Sequence, residues 1–181
     1  MGNQQERFDL DLSWLAGIIE GEGWISLALI KSLKRNGKYY PAFTGNIGMT
    51  NTDFILIDKV ESIFKVLELK YRYQERPAHV GKDGATRKAK KEISVYSKQY
   101  VEKLGNAILP YMHGQKRDRV IKLFEFYRIR ESKPRSGINS TYGPEEYEIY
   151  KSLYSYRGKS RSEIPNDYTF GVPLNEDKDI V

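Results

Sequence analysis

The sequence predicts an α+β fold with one four-stranded, mainly antiparallel sheet and helices on one of its faces. Apolar residues alternate between helical and strand spacing over residues 11–131, in the order α-ββ-α-ββ-α-α. Hydrophobic residues make up 39% of the 181 residues, enough to form the core of a domain this long. The chain has no cysteine, so neither disulfides nor a Cys-ligated zinc ion can stabilise this core.

The first half of the pattern begins with a helix predicted over residues 11–23, capped by Asp11 or Ser13. The apolar period then changes to that of strands, which are predicted over 24–33 and 42–50 with a turn-rich connection between them.

The second half repeats the pattern and adds helices. The polar residues 50–53 predict the cap of a helix, because apolar residues recur at helical spacing beyond them. The elements predicted after it are strands over 70–76 and 87–97, helices over 99–109 and 115–131, and a last helix over 144–156 that begins at Pro144. We divide the chain into a core domain, 1–135, and a C-terminal helical extension with an irregular tail, 136–181.

The net charge of +6 is distributed unevenly along the chain. Residues 1–30 carry one Arg against five acidic residues, residues 31–130 carry 22 basic against 10 acidic, and residues 131–181 carry 7 basic against 9 acidic. A concentrated positive segment is typical of proteins that bind polyanions such as nucleic acids. A solvated, Lys-rich surface is the alternative.

Other classes of protein are excluded by what the sequence lacks. It has no run of 18 apolar residues and no apolar stretch near its N-terminus that would suit a secretory signal. Its two histidines make a histidine-built metal centre implausible. We therefore expect an intracellular protein, cytoplasmic in a prokaryote or encoded in an organelle, with no membrane partner.

Two features of the first predicted helix need an explanation. Glu20 and Glu22 lie at its C-terminal end, where the helix dipole makes an uncompensated acid cost roughly 0.3–1 kcal/mol. A bound divalent cation or a neighbouring Lys or Arg would offset this charge. Gly17 and Gly21 each cost a helix about 1 kcal/mol. Close packing against another helix explains them, and so does packing on the chain's own sheet.

These residues belong to the segment LAGIIEGEG at 15–23, which closely resembles the motif that names the LAGLIDADG homing endonucleases. Acidic residues occupy its sixth and eighth positions, as Glu20 and Glu22. The ββαββαα order and the basic strands extend the resemblance over residues 11–130. It implies a saddle-shaped four-stranded sheet and site-specific, metal-dependent hydrolysis of double-stranded DNA that promotes intron homing. Residues beyond about 135 have no counterpart in the family.

The resemblance also implies roles for individual residues. Glu22 would be the catalytic, metal-binding acid, and the Gly21 carbonyl would be a second ligand of Mg²⁺ or of another divalent cation such as Mn²⁺. No organic cofactor is implied. Asn51, at the end of the second strand, would lie near the metal, although it could instead cap the next helix.

A lysine near the start of a later helix would organise the attacking water in the family's mechanism. Lys116 is our choice for this role. The sequence sets the register after Pro110 only to within one residue, so the flanking Gln115 and Arg117 are the other candidates. A simple phosphate contact is the alternative for Lys116.

One motif supplies one active site, whereas a double-strand cut needs two. The resemblance therefore implies a homodimer whose motif helices pack side by side, acting on a near-palindromic target. The predicted dimer interface consists of Leu15, Ala16, Gly17, Ile18, Glu20 and Gly21. A monomer that nicks DNA or only binds it is the alternative.

Alternate side chains of a sheet in the major groove can read bases, while lysines and arginines in loops contact phosphates. The predicted DNA-binding residues of the strands are Ser26, Ala28, Ile30, Ser32, Lys34, Thr44, Asn46, Gly48, Arg72, Gln74, Arg76, Lys90, Glu92 and Ser94. Those of the loops are Arg35, Lys38, Lys82, Arg87 and Lys88. Which face of the first and third strands meets DNA is left open.

Two other functions fit the same fold. One is an RNA-binding intron-splicing maturase, and the other is a catalytically silent DNA-binding regulator. The acidic residues at 20 and 22 favour an endonuclease over the silent regulator, because binding alone does not need them.

Overall fold

A computed structural model describes residues 2–33, 39–133 and 142–153. Their helices are α1 (Gly2–Glu22), α2 (Phe54–Val66), α3 (Lys98–Ile108), a 3₁₀ turn (Leu109–Tyr111), α4 (Gln115–Ser132) and α5 (Pro144–Leu153). Their strands are β1 (Gly23–Leu33), β2 (Tyr39–Asn51), β3 (Arg72–Arg76), β4 (His79–Val80), β5 (Thr86–Arg87) and β6 (Lys90–Val95). None of the described helices is long and apolar enough to cross a membrane.

Four of the strands form an antiparallel sheet in the order β1-β2-β6-β3, which confirms the predicted fold class. The register sets Met49 of β2 opposite Ile93 of β6, and Ile93 opposite Tyr73 of β3. Ile93 and Val95, predicted as core residues, are fully buried. Every second side chain of β6 therefore points into the core, as the alternating pattern predicts.

The structure differs from the prediction at the start of α1 and in the strand predicted over 87–97. Helix α1 begins at Gly2, nine residues before the predicted start, because no proline or turn sequence interrupts residues 2–10. Asp11 therefore lies within the helix, where it pairs with Lys59 at 3.2 Å instead of capping. Residues 86–87 pair with β4 in a separate two-stranded hairpin, and β6 starts only at Lys90.

The cap predicted at residues 50–53 is confirmed. Asp53 is the N-cap of α2, and its carboxylate accepts hydrogen bonds from the backbone N–H groups of Ile55 at 3.0 Å and Leu56 at 3.3 Å. The register of the helix then buries Val60 and Phe64, as its apolar spacing predicts.

The chain forms two compact units, and their boundaries do not coincide with the division that we placed at residue 135. Unit 1 consists of residues 1–25 and 46–120, and unit 2 of residues 26–45 and 121–181. Helix α5 therefore packs with the outer parts of β1 and β2, within unit 2.

The core of unit 2 is an aromatic cluster. The ring of Phe43 lies 4.7 Å from that of Tyr142 and 4.9 Å from that of Tyr150, measured between centroids. The edge-to-face geometry of the first pair is a favourable arrangement of aromatic rings. Tyr142 and Tyr150 thus pack into the core of unit 2.

Beside this cluster lies a fully buried carboxylate, that of Glu146. It accepts hydrogen bonds from the Lys133 ammonium at 2.6 Å, from the Gly143 backbone N–H at 2.9 Å and from the Arg130 guanidinium at 3.2 Å. Burial by itself raises the pKa of Glu146, but the bonds from Lys133, Gly143 and Arg130 outweigh it, so the net pKa is lowered from its usual 4.5.

This lowered pKa predicts an acid-sensitive contribution to stability. The ionised Glu146 stabilises the fold above pH 4.5, and this stabilisation is lost as the pH falls through the lower pKa of the folded state. We expect urea unfolding to show a steeper loss of stability below pH 4.5 for the wild type than for Glu146→Gln. The exposed Glu145 lies in the same helical turn, so Glu145→Gln should behave like the wild type. Equal acid sensitivity of Glu146→Gln and the wild type would contradict the prediction.

Candidate active site and nucleic-acid interface

The end of α1 is fixed to the segment before α4 by Glu20. One carboxylate oxygen of Glu20 accepts the backbone N–H groups of His113 at 3.0 Å and Gly114 at 2.6 Å. This acid, at the sixth position of the motif, therefore has an intrachain role. Its predicted contact with a partner helix stays a prediction.

Lys116 caps the C-terminal end of α1. Its ammonium donates to the carbonyl oxygens of Gly23 at 2.7 Å and Ile19 at 3.0 Å, and lies 3.5 Å from that of Gly21. Carbonyls in the last turn of a helix have no partner within the helix, and a cation there also offsets the negative end of the dipole. The sequence left two explanations for the acidic charge at the end of α1, a bound divalent cation and a neighbouring Lys or Arg. The structure shows that a lysine is present there.

Although Lys116 offsets the negative end of α1, the carboxylate of Glu22 can still bind a ligand. Its side chain is exposed, and no hydrogen bond or ion pair engages it within the described residues. Its carboxylate and the Gly21 carbonyl, which lies 3.5 Å from the Lys116 ammonium, are oxygen donors of the kind that Mg²⁺ prefers, so this end of α1 fits a divalent cation. No group of three or more acidic or histidine side chains converges in the described part of the chain. A single chain thus offers only a partial set of metal ligands.

Asn51 lies in a local turn. Its side-chain oxygen accepts the backbone N–H of Asp53 at 2.9 Å, so it precedes the cap of α2 and is not the cap itself. In the register it stands opposite Lys91, whose ammonium pairs with Asp58 of α2 at 2.7 Å. Within the described residues, the Asn51 side chain makes this one hydrogen bond, from the Asp53 N–H, and none to the motif. Its catalytic role stays a prediction.

Trp24 covers part of the sheet face that we expected to be free. Its indole N–H donates to the side-chain oxygen of Asn46 at 2.6 Å, and Asn46 is 6% exposed. Gly48 and Ser94 are also buried on this face. A Cβ at Gly48 would lie 2.6 Å from the Ile93 carbonyl oxygen, so only glycine fits there. The side chains of Asn46 and Ser94 are therefore buried in the described structure, and contact of these two residues and of Gly48 with DNA stays a prediction.

The third strand presents a polar row on the same face of the sheet. The register sets Arg72 opposite Ser94 and Arg76 opposite Lys90, with Gln74 between them. Arg72 and Arg76 are exposed, although Arg76 lies 3.6 Å from Glu92. The register thus places Arg72, Gln74 and Arg76 on one face, and the two arginines are accessible to a polyanion, while their contact with DNA stays a prediction.

The hairpin after β3 carries the loop cations. Lys82, Arg87 and Lys88 are exposed, as we expected. Arg87 pairs with Asp83 at 2.9 Å, so it has less charge to offer a phosphate than the two lysines.

In unit 2, the described side chains of β1 and β2 differ in burial, and their contact with DNA stays a prediction. Leu27 is buried, while Ser26, Ala28 and Thr44 are half-buried and Ile30 is 48% exposed. The side chain of Ser32, and all of Lys34, Arg35 and Lys38, lie outside the described part of the chain, as does the turn predicted between the two strands.

The face of α1 available to a partner is narrower than predicted. Leu15 and Ala16 are fully buried within the single chain, so their side chains cannot contact a second one. Gly17 and Gly21 are exposed, and an added Cβ at either would meet no atom within 4 Å. Ile18 and Glu20 are half-buried. The accessible part of the predicted interface therefore consists of Gly17, Ile18, Glu20 and Gly21.

Sequence reasoning missed three groups at this site: the indole of Trp24 and the backbone N–H groups of His113 and Gly114. Trp24 directly follows the motif, but nothing in its neighbours indicates that it folds over β2. The two backbone donors have no sequence signal, since any residue except proline supplies one.

The cap formed by Lys116 gives a testable prediction. Lys116→Met keeps most of the aliphatic stem and removes the ammonium, which leaves the carbonyls at the end of α1 without their donor. We expect the free energy of unfolding in urea to fall by about 1–3 kcal/mol. The exposed Lys122 lies in the same helix, and Lys122→Met should leave it within about 0.5 kcal/mol of wild type. A Lys116→Met protein as stable as the wild type would show that the cap contributes nothing.

No protein-family model and no curated protein sequence matches this chain. Its fold, in contrast, is similar to that of several solved structures. The homing endonuclease I-CvuI, in complex with its target in the presence of 2 mM Ca, superposes with a TM-score of 0.56 at 19% identity, covering 87% of this chain and 89% of that one. The group I intron-encoded homing endonuclease I-CeuI, complexed with DNA, gives 0.60 at 16% identity, covering 83% and 69%.

A third structure carries the family name itself. The I-LtrWI LAGLIDADG homing endonuclease, bound to target DNA, gives a TM-score of 0.50 at 23% identity, covering 78% of this chain and 43% of that one. The chain thus has the fold of the homing endonucleases. More specifically, it has the LAGLIDADG fold that the segment at 15–23 predicts.

Proposed function

We propose that this chain is a site-specific endonuclease of double-stranded DNA, which cleaves by metal-dependent hydrolysis and promotes intron homing. The observation that carries the proposal is the exposed carboxylate of Glu22 at the negative end of α1, which pairs with no other described residue. A free carboxylate there would repel DNA unless a cation joins it, so a protein that only binds DNA has no use for it.

The chain's own residues divide the work. Glu22 and the Gly21 carbonyl would hold Mg²⁺ or Mn²⁺, which in such a site stabilises the charge that develops on the phosphate and its leaving oxygen. Glu20 and Lys116 fix the end of α1 to the segment around α4, and so hold Glu22 in place. Arg72, Arg76 and the lysines of the hairpin would neutralise DNA phosphates.

The described residues of one chain hold only a partial set of metal ligands, which supports a homodimer, as does the exposed stripe at Gly17 and Gly21. Two chains related by a two-fold axis would bring two copies of Glu22 to one DNA site and would cut both strands. The target would then be long and nearly palindromic, because each half is read by the same surface.

The proposal is tested by selection from a pool of randomised double-stranded DNA, followed by cleavage of a plasmid that carries the selected site. We expect linearisation at one position with Mg²⁺ or Mn²⁺ and none with EDTA. Binding without cutting in either metal would identify a silent regulator. If the protein selected no DNA from the pool but bound structured intron RNA, it would be identified as a maturase.

A further inference from the structure

The outer parts of β1 and β2, residues 26–33 and 39–45, form a ribbon in unit 2 that extends past the pairing with β6. The register between β2 and β6 begins only at Ile47, opposite Val95. Among the described residues, no strand other than β1 pairs with residues 39–45 of β2. A strand edge of this kind leaves backbone groups that need another partner to stay ordered.

A side chain from the start of the C-terminal segment supplies one such partner. The backbone N–H of Phe43 donates to the Tyr142 hydroxyl oxygen at 3.2 Å. The Phe43 ring also meets the Tyr142 ring edge-to-face. Tyr142 therefore contacts Phe43 of the ribbon in two ways, at its backbone N–H and at its ring.

Tyr142 is in turn held in place by α4. The Arg130 guanidinium lies 4.3 Å from the centre of its ring, a cation–π distance, and the Phe126 ring stacks on it at 6.2 Å. Arg130 is oriented by its ion pair with Glu146 of α5.

Glu146 closes this chain of contacts. Its buried carboxylate joins Arg130 and Lys133, at the end of α4, to the backbone N–H of Gly143, the residue next to Tyr142. A buried carboxylate with three donors has one well-defined position, because any displacement leaves a charge without a partner.

We propose that residues 142–153 anchor the ribbon, with Glu146 and Tyr142 as positioning residues that set its affinity and discrimination for DNA. The second part of this inference rests on the proposed function. The ribbon carries Ser26, Ala28 and Ile30 on the face opposite the anchor. An ordered ribbon presents these side chains at low entropic cost, whereas a loosened one must be ordered again on binding. The anchor contributes no group to the chemistry of cleavage.

Hydrogen exchange on the full chain tests the anchor directly. Tyr142→Phe removes only the hydroxyl that accepts from the Phe43 N–H, and should speed exchange of this amide about tenfold, as expected for the loss of one hydrogen bond. Glu146→Gln removes the charge and turns one accepting oxygen into a donating amide, so Arg130, or both Lys133 and Gly143, lose their acceptor. It should speed the same exchange by loosening Tyr142. The matched controls are Tyr147→Phe and Glu145→Gln, which make the same changes elsewhere in α5 and should leave that rate unchanged. If the Phe43 amide of Tyr142→Phe exchanged at the wild-type rate, the anchor would be overturned, even if Glu146→Gln did not fold.

The effect on DNA is measured separately, with the site recovered by selection. We expect both variants to raise the Kd about tenfold and to accept more substitutions in that site. The single-turnover cleavage rate at saturating DNA should stay at the wild-type value. Faster exchange with unchanged Kd and discrimination would overturn the role in DNA binding and leave the anchor standing. If the wild type selects no DNA, the proposed function fails, and the exchange result still decides whether the anchor exists.

Discussion

Replacing Glu22 with Gln is expected to lower the rate of DNA cleavage by about 10³-fold or more while leaving DNA binding intact. The amide is nearly the same size as the carboxylate but carries no charge, so it cannot hold a divalent cation in the same way. Because Glu22 is exposed and unpaired in the described structure, its replacement breaks no contact that supports the fold. The loss should therefore appear in single-turnover cleavage and not in the thermal midpoint or in the Kd for DNA.

Glu6→Gln is the matched control for this experiment. Glu6 is an exposed acid of the same helix, so the variant makes the same change of net charge far from the motif in sequence. It should cleave at the wild-type rate. Cleavage by Glu22→Gln at the rate of the Glu6→Gln control would remove Glu22 from the active site and would leave the exposed acid without a role.

Features that depend on local sequence were predicted well. The cap at Asp53 follows from the polar cluster before an apolar helical pattern, and the core positions of β6 follow from its alternation. The LAGLIDADG fold follows from the nine residues at 15–23 together with the order of the elements. Each of these depends on residues that are close together in the chain.

Features that depend on distant residues were not predictable in the same way. Lys116 could be placed near the motif through the resemblance, but its bonds to Ile19 and Gly23 join positions more than 90 residues apart. The burial of Asn46 depends on the direction in which the Trp24 indole turns, which no local pattern sets.

The motif helix illustrates a further ambiguity. Leu15 and Ala16 face the chain's own core, whereas Gly17 and Gly21 face outward. A helix that packs against both its own domain and a partner has apolar or small residues all round, so its sequence does not separate the two faces. The structure separates the two faces, so the proposed dimer can be tested by a substitution on the outward face.

Gly17→Leu is accordingly expected to convert a homodimer to a monomer and to abolish double-strand cleavage. Gly17 is exposed, and an added Cβ there meets no atom of the rest of the described structure within 4 Å, so a larger side chain can extend towards solvent. Leucine is also a better helix former than glycine, by roughly 0.5–1 kcal/mol, so the monomer should be at least as stable as before. Against a second α1, the same side chain would hold the two helices apart.

Sedimentation at micromolar concentration measures the first effect, and the mass should fall from that of two chains to that of one, 21.0 kDa. Plasmid cleavage measures the second, and linear product should disappear. Ser62→Leu adds the same side chain at an exposed position of α2 and should change neither measurement. A Gly17→Leu protein that remains dimeric and still linearises the plasmid would place the interface elsewhere. A wild type that is monomeric with DNA bound, and that nicks only one strand, would show that a single motif acts alone.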